Sequence, residues 1–253
     1  MTEWERSLWQ PGGGDAFLFY AVFGTMPSAF EIDARRYRTS GLPEGVEVRH
    51  FSRQQKPAYV SHFTEGEAWD QVVTEQPALA QQILASPDLI VVAGAVKDPD
   101  SLSYLRNTIG VVTYILDHQG VAALDLQTMS WYSRDRWREW IFDSSTFVPY
   151  RHAVILVSQE DHDPALAWFH TRGMRKFGRP DISVHDVPSA ENDVVAELCN
   201  RFSALQALGE LVPEGQAVYM DELPWSGTIR HGGDMDDIDF NNVHIEVLRD
   251  STG

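Results

Sequence analysis

Between Leu89 and Ile141 the chain switches repeatedly between two hydrophobic periods, and this alternation restricts the fold more than any other feature of the sequence. Leu89–Val96 (LIVVAGAV) is a continuous apolar run of strand length. Ser101 then opens a stretch whose apolar residues Leu102, Leu105, Ile109, Val112 and Leu116 recur at helical spacing, with His118-Gln119-Gly120 as its stop. Val121–Leu126 returns to strand, and Ser133 caps a short aromatic helix carrying Trp137, Trp140 and Ile141. Strand, helix, strand, helix in this order belongs to folds that set helices against a sheet.

The flanking stretches extend the pattern. Upstream, Ala16–Phe23, Val46–Phe51 and Ala58–Phe63 read as strands joined by polar turns, which favours antiparallel pairing. Trp69, Val72, Val73, Leu79, Ile83 and Leu84 form a helical stripe that Pro77 divides. Residues 1–15, with Pro11 and the run Gly12–Gly14, read as a flexible lead-in. Downstream, Ala153–Val157, Leu166–Trp168, Asp181–Val187, Gln216–Met220, Thr228–His231 and Val243–Val247 read as strands. Ser189 is placed to cap a helix with the stripe Val194, Val195, Leu198, Phe202, Leu205 and Leu208. The expected fold is α+β, a mixed or mainly antiparallel sheet with helices near 102–118 and 190–209 packed on one face. If the chain divides, the break falls near Ser86–Asp88, giving an α/β segment 1–87 and an α+β core 88–253.

Charge narrows the partners. With 37 acidic residues against 20 lysines and arginines the formal net charge is -17. Such a balance argues against nucleic acid, which calls for a basic face, and favours a basic protein partner. The single cysteine, Cys199, excludes an internal disulfide and every cysteine-cluster zinc site. Its place beside the 190–209 stripe marks a buried, inert thiol. No apolar run has membrane-spanning length and the first residues lack a signal-peptide core, so a cytoplasmic protein without membrane contact is expected.

Local catalytic signatures are missing. No phosphate-binding glycine loop, nucleophile elbow or H-E-x-x-H occurs. Glu160, Asp161, His162, Asp163 and His170 are neighbours in sequence, and His231 with Asp234 forms a second group, yet a metal needs about three ligands converging in space. Sequence alone fixes no such convergence, and no metal or cofactor is assigned. Asp234–Asn242 resembles a calcium loop in composition only. Counted from Asp237, its sixth place holds Asn242 instead of glycine and its twelfth holds Leu248 instead of glutamate.

The most distinctive phrase is WFHTRGMRKFGRPD, Trp168–Asp181, where Arg172, Arg175, Lys176 and Arg179 gather in an acidic protein. Arginine forks bind phosphate and carboxylate, so His170, Arg172, Arg175, Lys176 and Arg179 are the candidate ligand-binding residues. The competing reading has these cations neutralising the chain's own carboxylates at a structural junction. Taken with GVAALDLQTMSWYS (Gly120–Ser133) and AVILVSQED (Ala153–Asp161), this phrase resembles an uncharacterised family of bacterial proteins sharing an H-T-x-G-M-x-x-F-G-R-P-D/E stretch. The resemblance runs from about Leu89 to Val247 and implies a cytoplasmic bacterial α+β domain; it supplies no catalytic residues.

Three functions follow as expectations. The first is a non-enzymatic binding protein, immunity-type or regulatory, directed at a basic partner. The second is a hydrolase built on His162, His170 and His231 with carboxylates, with or without a metal. The third is a small-anion binder using the basic loop 172–179.

Overall fold

The computed structural model describes residues 4–144 and 146–250, so the first three residues of the lead-in lie outside it. The fold is α+β, and its strands form two separate sheets. The chain divides into two compact units. The first comprises residues 1–4, 17–96 and 101–147, and the second residues 5–16, 97–100 and 148–253. The sequence position 87/88 falls within the first unit. Strand pairing explains this: the segment after it is paired from Asp88 to Gly94 with a strand before it.

In the first unit β1 (Ala16–Gly24), β2 (Val46–Ser52), β3 (Asp88–Val96), β4 (Gly120–Asp125) and β5 (Ser130–Ser133) form a sheet in the order β2-β3-β1-β4-β5. Val46 pairs with Gly94 and Ser52 with Asp88, antiparallel, which binds β2 to β3 across the 87/88 position. Ala58–Phe63, expected as a strand, is the helix α1 (Pro57–His62). Pro57 pre-sets the first helical turn, and Val60 and Phe63 suit a helical stripe as well as a strand face. Pro77 divides the next helical stretch as expected, into α2 (Glu67–Glu75) and α3 (Pro77–Ala85). These three helices cover one face of the sheet, burying Val60, Trp69, Val72 and Ile83 against Ala21, Phe23, Leu89, Val91 and Leu124.

Alternation along β1 sends Tyr20 to the opposite face. There α4 (Ser103–Asp117) and α5 (Arg134–Trp137) pack. Trp137 meets Tyr20 edge-on at 5.5 Å and donates from Nε1 to Thr113 Oγ1 at 2.8 Å. Ser133 caps α5 as expected, its hydroxyl accepting from Arg136 N. The stop of α4 is taken by Gln119 at φ +74, and Gly120 already belongs to β4.

In the second unit β6 (Val154–Gln159), β7 (Leu166–Arg172), β8 (Asp181–Pro188), β9 (Ala217–Val218), β10 (Gly227–Gly232) and β11 (His244–Arg249) form a sheet in the order β6-β7-β8-β11-β10-β9. All pairs are antiparallel except β8 with β11. The helix α6 (Asn192–Ala207) lies on one face, closing a core of Phe169, Ile182, Val184, Val195, Leu198, Phe202, Ile229, Ile245 and Val247. It follows a 3-10 turn at Ser189–Glu191, so Ser189 sits before the helix rather than on its cap. Cys199 is buried in this core, and burial pushes its thiol up to about 12, out of the reactive range.

Candidate functional site

The basic loop leaves β7 at Arg172 and turns through Gly173 (φ +118), a 3-10 turn at Met174–Phe177 and Gly178 (φ +61) before entering β8. Most of its cations point inward. Lys176 is fully buried and its Nζ donates to His152 O at 2.7 Å. Arg179, 2% exposed, donates to the carbonyls of Gly209 and Glu210 and meets Asp98 at 3.0 Å. Arg175 Nη1 donates to both the carbonyl and the side-chain oxygen of Asn241. Arg172 is half-buried at the strand end, with its Nε lacking a partner among the described residues. Three of the five candidate ligand-binding residues are thus engaged with the protein's own backbone and carboxylates.

Asp98 explains much of this arrangement. It faces two buried guanidiniums, Arg179 and, at 3.3 Å, Arg6, and accepts from the Gly13 amide at 3.0 Å. Arg6 also donates to the carbonyls of Pro99, Phe177 and Ala207. The run expected as a flexible spacer is packed here instead. A Cβ on Gly13 would stand 1.7 Å from Arg179 Nη1, and one on Gly178 would stand 1.9 Å from Gly14 O. Only glycine permits so close an approach.

Asp181, at the start of β8, is buried behind the loop. Thr171 Oγ1 and the Met174 amide donate to Oδ1, and Asn242 Nδ2 to Oδ2. Burial pushes this carboxyl up to about 7, against the pull of those donors and of the Arg172 charge.

Beside the loop opens a cleft of ≈ 830 Å³. Its walls are Gly12–Asp15, Gly178–Pro180, Leu211–Pro213, His231–Gly233, Met235 and Asn242–His244. The side chains that line it are mainly apolar or absent. Arg179 contributes wall, but its charge is held by Asp98 and the carbonyls. Met235 brings the 234–239 loop to its rim, a loop folded by Asp234 Oδ1 accepting from Asp236 N and Asp237 Oδ1 accepting from Asp239 N. That loop presents Met235 (43% exposed) and Ile238 (87% exposed) among Asp234, Asp236, Asp237 and Asp239. Concave apolar surface with a few placed polar groups is the usual form of a binding site.

The sheet face opposite α6 carries the imidazoles. Phe169 points into the core, so Trp168 and His170 point away from it. Trp168 stacks on His170 at 4.1 Å and on His185 at 5.0 Å, and its Nε1 donates to Ser183 Oγ at 2.8 Å. Phe240 folds back over this face, edge-on to His170 and stacked on His244 at 4.2 Å. Burial holds both His170 and His244 below the ordinary imidazole range; among the described residues the buried Nδ1 of each lacks a hydrogen-bond partner, with Asp237 3.8 Å from that of His244.

His162, His170 and His231 do not share a site. His231 pairs with Ile245 of the α6 core, so it stands on the other face from His170, with Nε2 2.8 Å from Val212 O. His162 lies in the β6–β7 turn, with Nε2 2.9 Å from Asp186. The Glu160–Asp163 cluster separates likewise: Glu160 and His162 meet His185 and Asp186, whereas Asp163 turns back to accept from Ala165 N. The residues that sequence reasoning missed are Asp98, Arg6, Phe240, Asn242 and Asp186. Each acts across a long sequence separation and none sits in a periodic pattern.

Comparisons of the chain with family models, curated proteins and solved structures found no match.

Proposed function

We propose that this chain is a binding protein whose second unit takes a basic, partly apolar segment of another protein at the cleft and its 234–239 rim. The observation that carries this reading is Met235, an exposed apolar side chain lining a mainly apolar cleft, in a loop that also carries the exposed Ile238 and four carboxylates. Single exposed apolar residues are ordinary, but apolar surface continuous with a cleft marks a contact surface, and Met235 belongs to the cleft wall. The carboxylates around it select a cationic partner and raise the encounter rate. The inward turn of Arg175, Lys176 and Arg179 supports the same reading, since it leaves the surface acidic. A regulatory or immunity-type role would use such a surface.

The test uses two labelled peptides of equal length, one alternating lysine with leucine and one alternating glutamate with leucine. Fluorescence anisotropy should show the basic peptide binding and salt weakening it. The variant Asp236→Lys, Ile238→Ser, Asp239→Lys should bind about tenfold or more weakly, a loss of about 1.4 kcal/mol or more. Equal binding of both peptides, or unchanged affinity in the variant, rules the reading out.

A further inference from the structure

The β6–β7 turn and a bulge in β8 bring the ligating side chains of Glu160, His162 and Asp186 together in the second unit, with His185 on Glu160, and we propose that they bind a divalent first-row transition ion of the zinc class. In β7 and β8, Phe169 pairs with Val184 but Ala167 with Val187, so His185 and Asp186 together oppose Trp168. An extra residue of this kind re-aims a side chain that alternation would send to the other face. The consecutive residues His185 and Asp186 therefore both address Glu160. Glu160 Oε1 lies 2.9 Å from His185 Nδ1 and 3.0 Å from the Asp186 amide. His162 completes the group, Nε2 2.9 Å from Asp186 Oδ1 and Nδ1 4.0 Å from Glu160 Oε2.

The ligand atoms of Glu160, His162 and Asp186 lie within 4.8 Å of one another. Zinc holds nitrogen and oxygen ligands at about 2.0–2.2 Å, which sets neighbouring tetrahedral ligands roughly 3.3–3.6 Å apart. The observed separations straddle that range, and the groups that must move are exposed: His162 is 63% and Asp186 54% exposed in its side chain. Among the described residues the ion pairs of Glu160 and Asp186 are with imidazoles, none with lysine or arginine. Two carboxylates without a fixed cation leave room for a dication's charge. Two imidazoles beside them favour zinc, nickel, cobalt or copper over calcium and magnesium. The surroundings orient the ligands: Trp168 stacks on the His185 ring, and the Asp186 amide holds the Glu160 carboxylate, whose side chain is 10% exposed. This site stands independently of the cleft and its partner.

A network of protonated imidazoles would make the same contacts without an ion, and the experiment separates the two. The full chain, stripped with a chelator, is titrated with Zn²⁺ alone by calorimetry, with Ca²⁺ and Mg²⁺ in parallel. A single equivalent of zinc should bind with release of protons, and Co²⁺ should give the visible absorption of a low-coordinate site. Replacing His162→Ala together with His185→Ala should weaken zinc about tenfold or more, as should Glu160→Gln alone if circular dichroism shows the double variant unfolded. Absence of zinc binding, zinc affinity unchanged in the folded variants, or calcium bound as tightly as zinc would each overturn the proposal.

Discussion

The two sheets of this chain bury different kinds of side chain. The first is covered by helices on both faces, and its largest buried groups are Trp137, Tyr20, Tyr37, Phe23 and Leu18. Its buried polar residues are hydroxyls, amides and one carboxylate, Asp125, and its two-arginine cluster on Asp117 lies partly in water. The second sheet is covered by α6 on one face. Its unit contains every buried lysine, arginine and histidine among the described residues: Arg6, His152, His170, Lys176 and Arg179. Burying charge costs free energy that apolar burial does not, and a fold retains it where position matters more than stability. In the second unit that position is the glycine-walled cleft, whose wall Arg179 and Asp98 hold in place. The contrast between the units is one of buried charge.

The most severe way to break this contrast is to remove Asp98. Asp98→Ala leaves Arg6 and Arg179 buried without their shared carboxylate, and the expected loss is about 3–5 kcal/mol. Hydrogen exchange should show protection lost in β7, β8 and α6 while β1–β4 stay protected. Trp137→Ala should cost a similar amount, about 3–5 kcal/mol, by opening a cavity, and should spare the second unit instead. A loss under about 1 kcal/mol for Asp98→Ala would mean that water already screens those guanidiniums.

The carboxyls Asp181 and Asp117, one in each unit, should contribute pH dependence of opposite sign. Asp181 titrates at about 7 in the folded chain against 3.8 ordinarily. Between those values the folded state keeps a proton that the unfolded chain has released. Its contribution is therefore complete below about 4 and is lost as pH rises through about 7, at most a few kcal/mol. For Asp117 burial pushes upward, but the Arg138 and Tyr37 bonds outweigh it and the carboxyl lies below its ordinary value. Its contribution is present above that ordinary value and is lost as pH falls through the folded one. His152, His170 and His244, all depressed by burial, oppose Asp181 in the acid limb, so the difference between Asp181→Asn and the unaltered chain isolates the carboxyl. The urea midpoint at about pH 5 minus that at about pH 8 should therefore fall in that variant relative to the parent. An unchanged pH slope would show that the three donors on Asp181 keep it ionised.

How much of this was legible follows the same division. Leu102, Leu105, Ile109, Val112 and Leu116 repeat at helical spacing and so reveal the helix, but not that it is buried all round from Thr108 to Leu116. Ser133 and Pro77 act within a turn of their own positions, so their roles could be read locally. Val60 and Phe63 satisfy both periods, and only Pro57 settles them as helix. The strand at Ser130–Ser133 is too short to show a period at all. The basic loop was visible as a cluster, but the direction of its side chains depends on Asp98 and Asn241, which lie far away in sequence. The Glu160–His162 half of the ligand cluster was visible as well. Its other half depends on a bulge, and a bulge leaves no mark until the pairing of Phe169 with Val184 is known.

The smallest expected effect sharpens what distinguishes the units. Arg49 and Glu47 on β2 form an ion pair at 2.8 Å, shorter than the 3.0 Å between Arg179 and Asp98. By distance alone the first pair should be the stronger. Both of its side chains are about two-thirds exposed, however, at 68% and 65%, whereas Arg179 and Asp98 are 1% and 13% exposed. Water screens the surface pair and compensates either partner that is removed, so Glu47→Ala should change stability by less than about 0.5 kcal/mol. A denaturation midpoint indistinguishable from the parent is the expected result, against several kcal/mol for Asp98→Ala. If the two substitutions cost the same, burial is not what separates the ionic groups of the two units.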